Sequence, residues 1–597
     1  MKHMHIKFLI IMLMCIVFSE YPVCAQSGKK FKVKSISFTG NEAFSKNRLS
    51  RVMITRKSGF LSKYYYNEGI FRDDLKALQL LYNQNGYFDA NITDYEVLAD
   101  SARSVTDIEI TISEGVLTHI EGVSVLGNFV FSDSLLFEKI SVHADEPFRQ
   151  NKIDASTVNL LTFYADNGYL DAEVQPDIRV NSETNRALVD FNIREKSQFT
   201  IGEIYVNGLE KTRRNVVDRE LLFTSGEVIN YSLLLKSQRN IYLTGLFQSV
   251  FIRPYISTHG DSTRKDIHVD IKENMSGEFN VALGYGAVDK ARGKMEIYNN
   301  NLHGTANKLG LSGKISYVER TIESSFTNPW TFGTPVRTDI NFLQERRDEP
   351  GYLLNRIGGK LIIGRKLNNN NITLTYRHER SKLSNVQIED IPDNLKSNTR
   401  SIKLSFIRDT RDNLFNSTKG LYFETSSELG VFYTAGSTQF YRLGSQIKYF
   451  YPVQTKTVFA TSAEVGFIEA QDGLLSIPLH ERFYAGGPNS VRGFEYEKVG
   501  PLDSNRVPTG GSFRLVWNPL EIRRMLYKMI GGVVFVDVGN VWEKPEDVSL
   551  SDLRYGTGFG LRVNTPIGLG RVDYGFNLDS RKDEPGGQFY FSMGQAF

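Results

Sequence analysis

The sequence predicts a run of small α+β repeats followed by a 16-stranded antiparallel transmembrane β-barrel, and three observations predict it. A pattern with a period of about 80 residues recurs between residues 31 and 274. From about Ser276 the helical signals stop, and apolar residues alternate with polar or small ones to the last residue. The 597 residues include 50 glycines, 29 tyrosines and 39 phenylalanines, yet the hydrophobic fraction is only 41% and the mean hydropathy −0.29. A helical membrane protein is far more apolar. A barrel is not, because each outward apolar side chain alternates with an inward polar or small one.

Residues 1–25 read as a signal peptide. Lys2 and Lys7 supply the charge, and Phe8 to Phe18 form an apolar core too short to span a bilayer as a helix. Val23-Cys24-Ala25 places small side chains before a cut at Gln26. A lipoprotein cut ahead of Cys24 is disfavoured, because Val23 stands where a Gly, Ala or Ser is normally needed. Cys15 and Cys24 are the two cysteines of the chain, so the segment after the cut has neither a disulfide framework nor a cysteine metal site. The formal net charge of +3 gives no footprint for nucleic acid. No later apolar run reaches about 18 residues, so insertion into a membrane would have to be as a closed barrel.

Three domains are expected at 31–115, 116–196 and 197–274. Each opens with a strand ending in glycine: Gly40, Gly127 and Gly208. Each continues through a helical pattern closed by Gly86, Gly168 or Gly245, where a left-handed residue stops a helix. Each ends in a strand of period two, such as Ile108, Ile110 and Ile112 alternating with charge. One face packed on helices and one face wet implies a three-stranded sheet.

The barrel is expected over 275–597. Its first strand turns Phe279, Val281, Leu283 and Tyr285 to lipid and Asn280, Ala282, Gly284 and Gly286 to the lumen. Its last turns Phe589, Phe591, Met593 and Phe597 one way and Tyr590, Ser592, Gly594 and Ala596 the other. Between them, strands read near 354–366, 370–381 and 399–410, among others, bring the count to sixteen. The longest connection, about 470–508, holds Gly486-Gly487-Pro488-Asn489-Ser490-Val491-Arg492-Gly493-Phe494. Its glycines permit close approach to a wall, and a permanently charged arginine wants a fixed carboxylate. Strand thirteen holds an acid in an otherwise apolar run: Phe535, Asp537 and Gly539 share a face, and a carboxylate facing lipid would be costly, so that face is expected to be the lumen.

Catalysis is not expected. The chain has no Gly-x-Ser-x-Gly, His-Glu-x-x-His or phosphate loop, its nine histidines are scattered, and no cofactor or metal motif is present. His480 reads as a loop residue and Asp409, Arg411 and Asp412 as a charge cluster at a strand end.

The order strand–helix–helix–strand–strand over 31–274 resembles polypeptide-transport-associated (POTRA) domains. Asp409 through Gly420, Val491-Arg492-Gly493-Phe494, Gly510-Gly511-Ser512, the Phe535-x-Asp537-x-Gly539 segment and Gly568 through Tyr574, taken together and in family order, resemble the BamA/TamA superfamily of outer-membrane assembly barrels. The resemblance implies the outer membrane of a Gram-negative bacterium, with the POTRA domains in the periplasm. The first strand then runs outward, and the 470–508 connection lies on the extracellular side. It implies a loop latch of Arg492 and Asp537, with Gly487, Gly493, Phe494 and Gly539 around it. It also implies POTRA edges that capture unfolded outer-membrane clients and a weak lateral seam at Phe279, Gly284, Gly286, Phe591, Gly594 and Phe597. The seam glycines read equally as space for a folded-in loop. Three POTRA domains are most similar to TamA, which leaves room for a TamB-like inner-membrane partner. The alternative reading is a two-partner-secretion translocation pore.

Overall fold

The computed structural model describes residues 31–59, 62–257, 263–389, 395–430, 439–527, 529–565 and 568–593. The signal peptide read at 1–25, and the seam residues Gly594 and Phe597, lie outside the described residues. The chain divides into two compact units, with the boundary running through the third repeat.

The first repeat is β1 (Lys32–Thr39), α1 (Lys46–Val52), α2 (Glu68–Gln84), β2 (Asn91–Asp100) and β3 (Val105–Ser113). The second is β4 (His119–Leu126), α3 (Asp133–Phe137), α4 (Gln150–Asp166), β5 (Glu173–Asn181) and β6 (Arg186–Arg194). The third is β7 (Thr200–Asn207), α5 (Arg214–Asp218), α6 (Tyr231–Leu243), β8 (Phe247–Ile256) and β9 (Arg264–Glu273). In each the last strand is central, in the orders β1-β3-β2, β4-β6-β5 and β7-β9-β8. The central strand therefore reads as the most regular alternation: Ile108, Ile110 and Ile112 all turn into a core with Phe71 and Leu78.

The recurrent glycine has a steric cause. Gly127 follows β4 at φ +83°, and a Cβ there would lie 2.3 Å from the carbonyl oxygen of Ile193 on β6. Gly40 and Gly208 occupy the same place in their repeats. A second feature repeats with them. The carboxylates of Glu114, Glu195 and Glu273, at the ends of the central strands, accept backbone N–H groups of the segment that follows each glycine. Those donors would otherwise lack partners.

The barrel strands are β10 (Gly277–Gly286), β11 (Lys290–Leu302), β12 (Asn307–Ser316), β13 (Glu319–Asn328), β14 (Arg337–Glu349), β15 (Tyr352–Leu367), β16 (Asn370–Ser384) and β17 (Lys396–Asp409). There follow β18 (Gly420–Gly430), β19 (Tyr441–Gln454), β20 (Thr457–Glu469), β21 (Phe513–Tyr527), β22 (Ile530–Trp542), β23 (Arg554–Thr565), β24 (Gly568–Asn577) and β25 (Gly587–Met593). The sixteen form one antiparallel sheet in sequence order. β16 and β17 extend further toward the 385–395 connection than their alternation suggested. The added outward positions are Lys382 and Lys396 rather than apolar residues, so the hydropathy contrast fades before the strand does. In the second unit the third repeat touches barrel turns: Asn301 donates to Thr212 at 2.8 Å, and the Trp330 indole donates to Glu220 at 3.0 Å.

Candidate functional site

The connection from β20 to β21 folds back among lumen-facing side chains. It begins with two single-turn 3₁₀ segments, Leu474–Ser476 and Leu479–Glu481, and buries Ala485, Val491, Phe494 and Val499 against Val516 and Val541 of the wall. At its centre Arg492 is 1% exposed and Asp537 is fully buried. Arg492 donates from its backbone N–H to Asp537 Oδ2 at 3.0 Å, from Nε to the same oxygen at 2.6 Å, and from Nη2 to Oδ1 at 2.8 Å. The guanidinium fork thus meets both carboxylate oxygens, and its carbon sits 3.4 Å from the centroid of the Phe535 ring.

Asp537 is one of three carboxylates around this arginine. Glu521 of β21 lies 2.8 Å from Nη2 and Asp573 of β24 lies 3.6 Å from Nη1. Arg523 pairs with Glu521 at 2.7 Å, Arg562 pairs with Asp573, and Arg571 lies 3.5 Å from Asp573. Asn518 donates to Asp537 at 2.8 Å and to the Ser490 carbonyl at 3.2 Å. Ions taken this far from water are stable only when paired and hydrogen-bonded, so these groups fix one another's positions.

The last strand also takes part. Tyr590 accepts the Gly493 N–H at 3.0 Å and donates to the Phe494 carbonyl at 2.5 Å. Arg571 donates to Pro488 O and to Asn489 at 3.1 and 2.9 Å. Room for the loop backbone comes from the wall: a Cβ on Gly556 of β23 would lie 1.9 Å from Arg492 O. A second anchor holds the start of the loop. Glu481 is buried and bonds Arg377 of β16 at 2.8 Å and Arg442 of β19 at 2.7 Å. His480 beside it meets Ser381 Oγ at 3.1 Å.

Of the residues singled out in the sequence, Arg492, Gly493 and Phe494 meet the wall near Asp537, whereas Gly487 packs within the loop against Tyr496. Gly539 lies against Val491 and the Leu515 carbonyl. Asp409 and Arg411 pair with each other at 2.8 Å, away from the loop. Glu521, Asp573, Tyr590 and the Glu481 anchor were not anticipated. Asp573 sat inside a quoted motif and Tyr590 on the lumen side of the last strand, but their meeting with Arg492 and Gly493 depends on cross-strand register.

β10 and β25 are neighbours: the Tyr285 and Phe591 rings are 6.0 Å apart between centroids. Among the described residues no backbone ladder joins these two strands, whereas every other adjacent pair in the barrel is laddered. Phe279 faces outward and exposed. A Cβ on Gly286 would meet nothing within 4 Å, and one on Gly284 would meet only the flexible Arg292 side chain.

This architecture defines an outer-membrane β-barrel with POTRA domains in the periplasm. Residues 301–597 match the Omp85 superfamily domain, and 31–115, 118–196 and 199–274 match POTRA, described as a surface antigen variable number repeat. The chain belongs to the Omp85 superfamily, which includes BamA. It is similar to the outer membrane protein assembly factor BamA of Nitratidesulfovibrio vulgaris, at 25% identity over 593 residues, covering 96% of this chain and 74% of that protein. It is similar to BamA of Neisseria meningitidis serogroup B, at 22% identity over 643 residues, covering 97% and 80%. The crystal structure of BamA from Haemophilus ducreyi lacking POTRA domains 1–3 shares the fold, with a TM-score of 0.67 and 20% identity over 80% of this chain and 99% of that one.

Proposed function

We propose that this chain inserts β-barrel proteins into the outer membrane, taking unfolded clients at the edges of its POTRA sheets and passing them to a lateral seam between β10 and β25. The observation that carries this reading is the missing ladder at that seam among the described residues. A strand edge with free N–H and C=O groups is a template for another strand. Client strands would pair with β10 and grow outward, driven by hydrogen bonding and burial, without a nucleotide. Arg492 and Asp537 serve as a latch that keeps the loop inside the lumen while the seam opens, with Gly487, Gly493, Phe494 and Gly539 shaping its path. No enzymatic step belongs to the reading. The similarity to proteins named as assembly factors supports the insertion role. The count of three POTRA domains favours a TamA-type member, while the relatives above carry the name BamA; a TamB-like partner is not part of the proposal.

The test is a covalent lock. The natural cysteines fall at positions 15 and 24, so a Tyr285→Cys/Phe591→Cys pair is the sole pair in the barrel. Oxidation should stop client assembly, and reduction should restore it. Full assembly by the locked form would overturn the seam.

A further inference from the structure

The outward face of the barrel carries a charge cluster that neither the loop nor the seam uses. On β13 to β17 the outward positions of the middle stretch are apolar, as at Phe326, Phe342, Leu361, Tyr376 and Leu404, with the separate cations Arg365 and Arg408 at the periplasmic ends. Toward the extracellular end they become cationic. The register sets Arg320 directly opposite Arg346, Arg346 opposite Asn355, Asn355 opposite Lys382, and Lys382 opposite Lys396. Two pairs of like charges therefore face each other across neighbouring strands, which destabilises a sheet unless something neutralises them. Arg380 adds a further cation in the next row, opposite Asn398.

Arg320, Arg346, Arg380, Lys382 and Lys396 are exposed, and among the described residues none has an ion-pair or hydrogen-bond partner for its side chain. The outward positions of the same five strands hold one acid, Asp348. Nearby, Arg400 has its Nε buried without a partner. Cations turned toward hydrocarbon are costly, and at headgroup level they are not. The row lies next to the 350–351 and 385–395 connections, on the extracellular side, which places it at the outer leaflet's headgroups. A groove of about 1330 Å³ on this face runs from the row to Ile322, Ile315, Met295 and Leu283, and so reaches β10. That exceeds the roughly 300–1,000 Å³ of small-molecule sites, and one end is cationic while the other is apolar.

We propose that this face binds a phosphate-bearing lipid of the outer leaflet. Its phosphates are held by the Arg320–Arg346–Lys382–Lys396 row, where arginine offers a two-point fork to phosphate oxygens. Its acyl chains lie along the apolar floor toward β10. The inference stands apart from the insertion role, because it needs only the outward face and its charge complementarity.

Native mass spectrometry of the full chain in detergent, with added diphosphoryl lipid A, tests it. The expected result is one retained lipid, at least tenfold less retention of fully dephosphorylated lipid A, and at least a tenfold loss in R346Q/K382Q/K396Q. The charge-keeping variant R320K/R346K/R380K should retain the lipid within about threefold, given that lysine still contacts phosphate as a point charge. Heat-modifiable electrophoretic mobility reports whether each barrel is folded. If the glutamine set fails to fold, the single variants R346Q and K382Q are read in its place, with a stepwise loss expected. Equal retention of the dephosphorylated lipid, unchanged retention in the folded glutamine variants, or displacement by equimolar inorganic phosphate would overturn the proposal. So would an equal loss in the lysine variant, since that would point to packing rather than charge.

Discussion

Arg492 concentrates the chemistry of the lumen in one side chain. It is surrounded by Glu521, Asp537 and Asp573. Among the described residues, truncating it takes the only paired cation from Asp537, which keeps the Asn518 amide, while Glu521 keeps Arg523 and Asp573 keeps Arg562. Breaking a buried ion pair from one side costs about 3–5 kcal/mol. The expected outcome for Arg492→Ala is a barrel that still reaches the membrane but whose 470–512 loop becomes sensitive to external protease. Unchanged sensitivity would remove the latch role. Arg492 and Asp537 are conspicuous in the sequence because each is a charge in the wrong company, one among glycines and one in an apolar strand. Glu521 and Asp573 are not conspicuous. Each sits in a strand already rich in charge, beside Arg523 and Arg571, and reads as an ordinary lumen residue.

Among the elements, the POTRA repeats share a glycine packed on the central strand's backbone and a glutamate at that strand's end that accepts the N–H groups after the glycine. In the third repeat, burial raises the Glu273 pKa, but the N–H groups of Thr212, Glu210 and Lys211 lower it further, and the net shift is below the ordinary 4.5. A depressed carboxylate stabilises the fold above its unfolded pKa and loses that contribution as pH falls through the folded value. Amide exchange at Glu210, Lys211 and Thr212, corrected for intrinsic rate, should therefore rise as the pH drops below about 4.5. The Glu273→Gln variant should show no such acid-dependent rise. The last barrel strand makes a second element-scale case. Tyr590→Phe leaves the Gly493 N–H and Phe494 carbonyl without their partner, at about 1–3 kcal/mol for each buried group. Faster amide exchange in β25, with the other strands unchanged, is the expected result.

At the scale of the whole molecule, a closed sheet protects its edges and an insertase needs one. In the proposed role that edge is the β10–β25 seam, which has no ladder among the described residues, while the loop is tied to several strands. The tie at Tyr590 connects the loop to the strand beside the seam. The locked pair at 285 and 591 therefore tests the whole molecule: it closes the edge without touching the loop, so loss of assembly would belong to the seam. The cationic row lies on the same barrel, on strands that reach β10 through the groove floor.

The order of the parts, the sixteen strands and the faces of the first and thirteenth barrel strands were legible in the sequence, because a two-residue period leaves a side chain only two directions to point. The sequence also brought out the glycines that turn each repeat, since left-handed backbone calls for that residue wherever it occurs. Which residues meet across the barrel emerged only with the tertiary structure. Glu481 with Arg377 and Arg442, Tyr590 with Gly493, and the row from Arg320 to Lys396 join residues far apart in the chain. Their meeting depends on strand register and on a loop folding back, and neither is written in a local pattern: the period says which way a residue points, and only pairing says what it points beside.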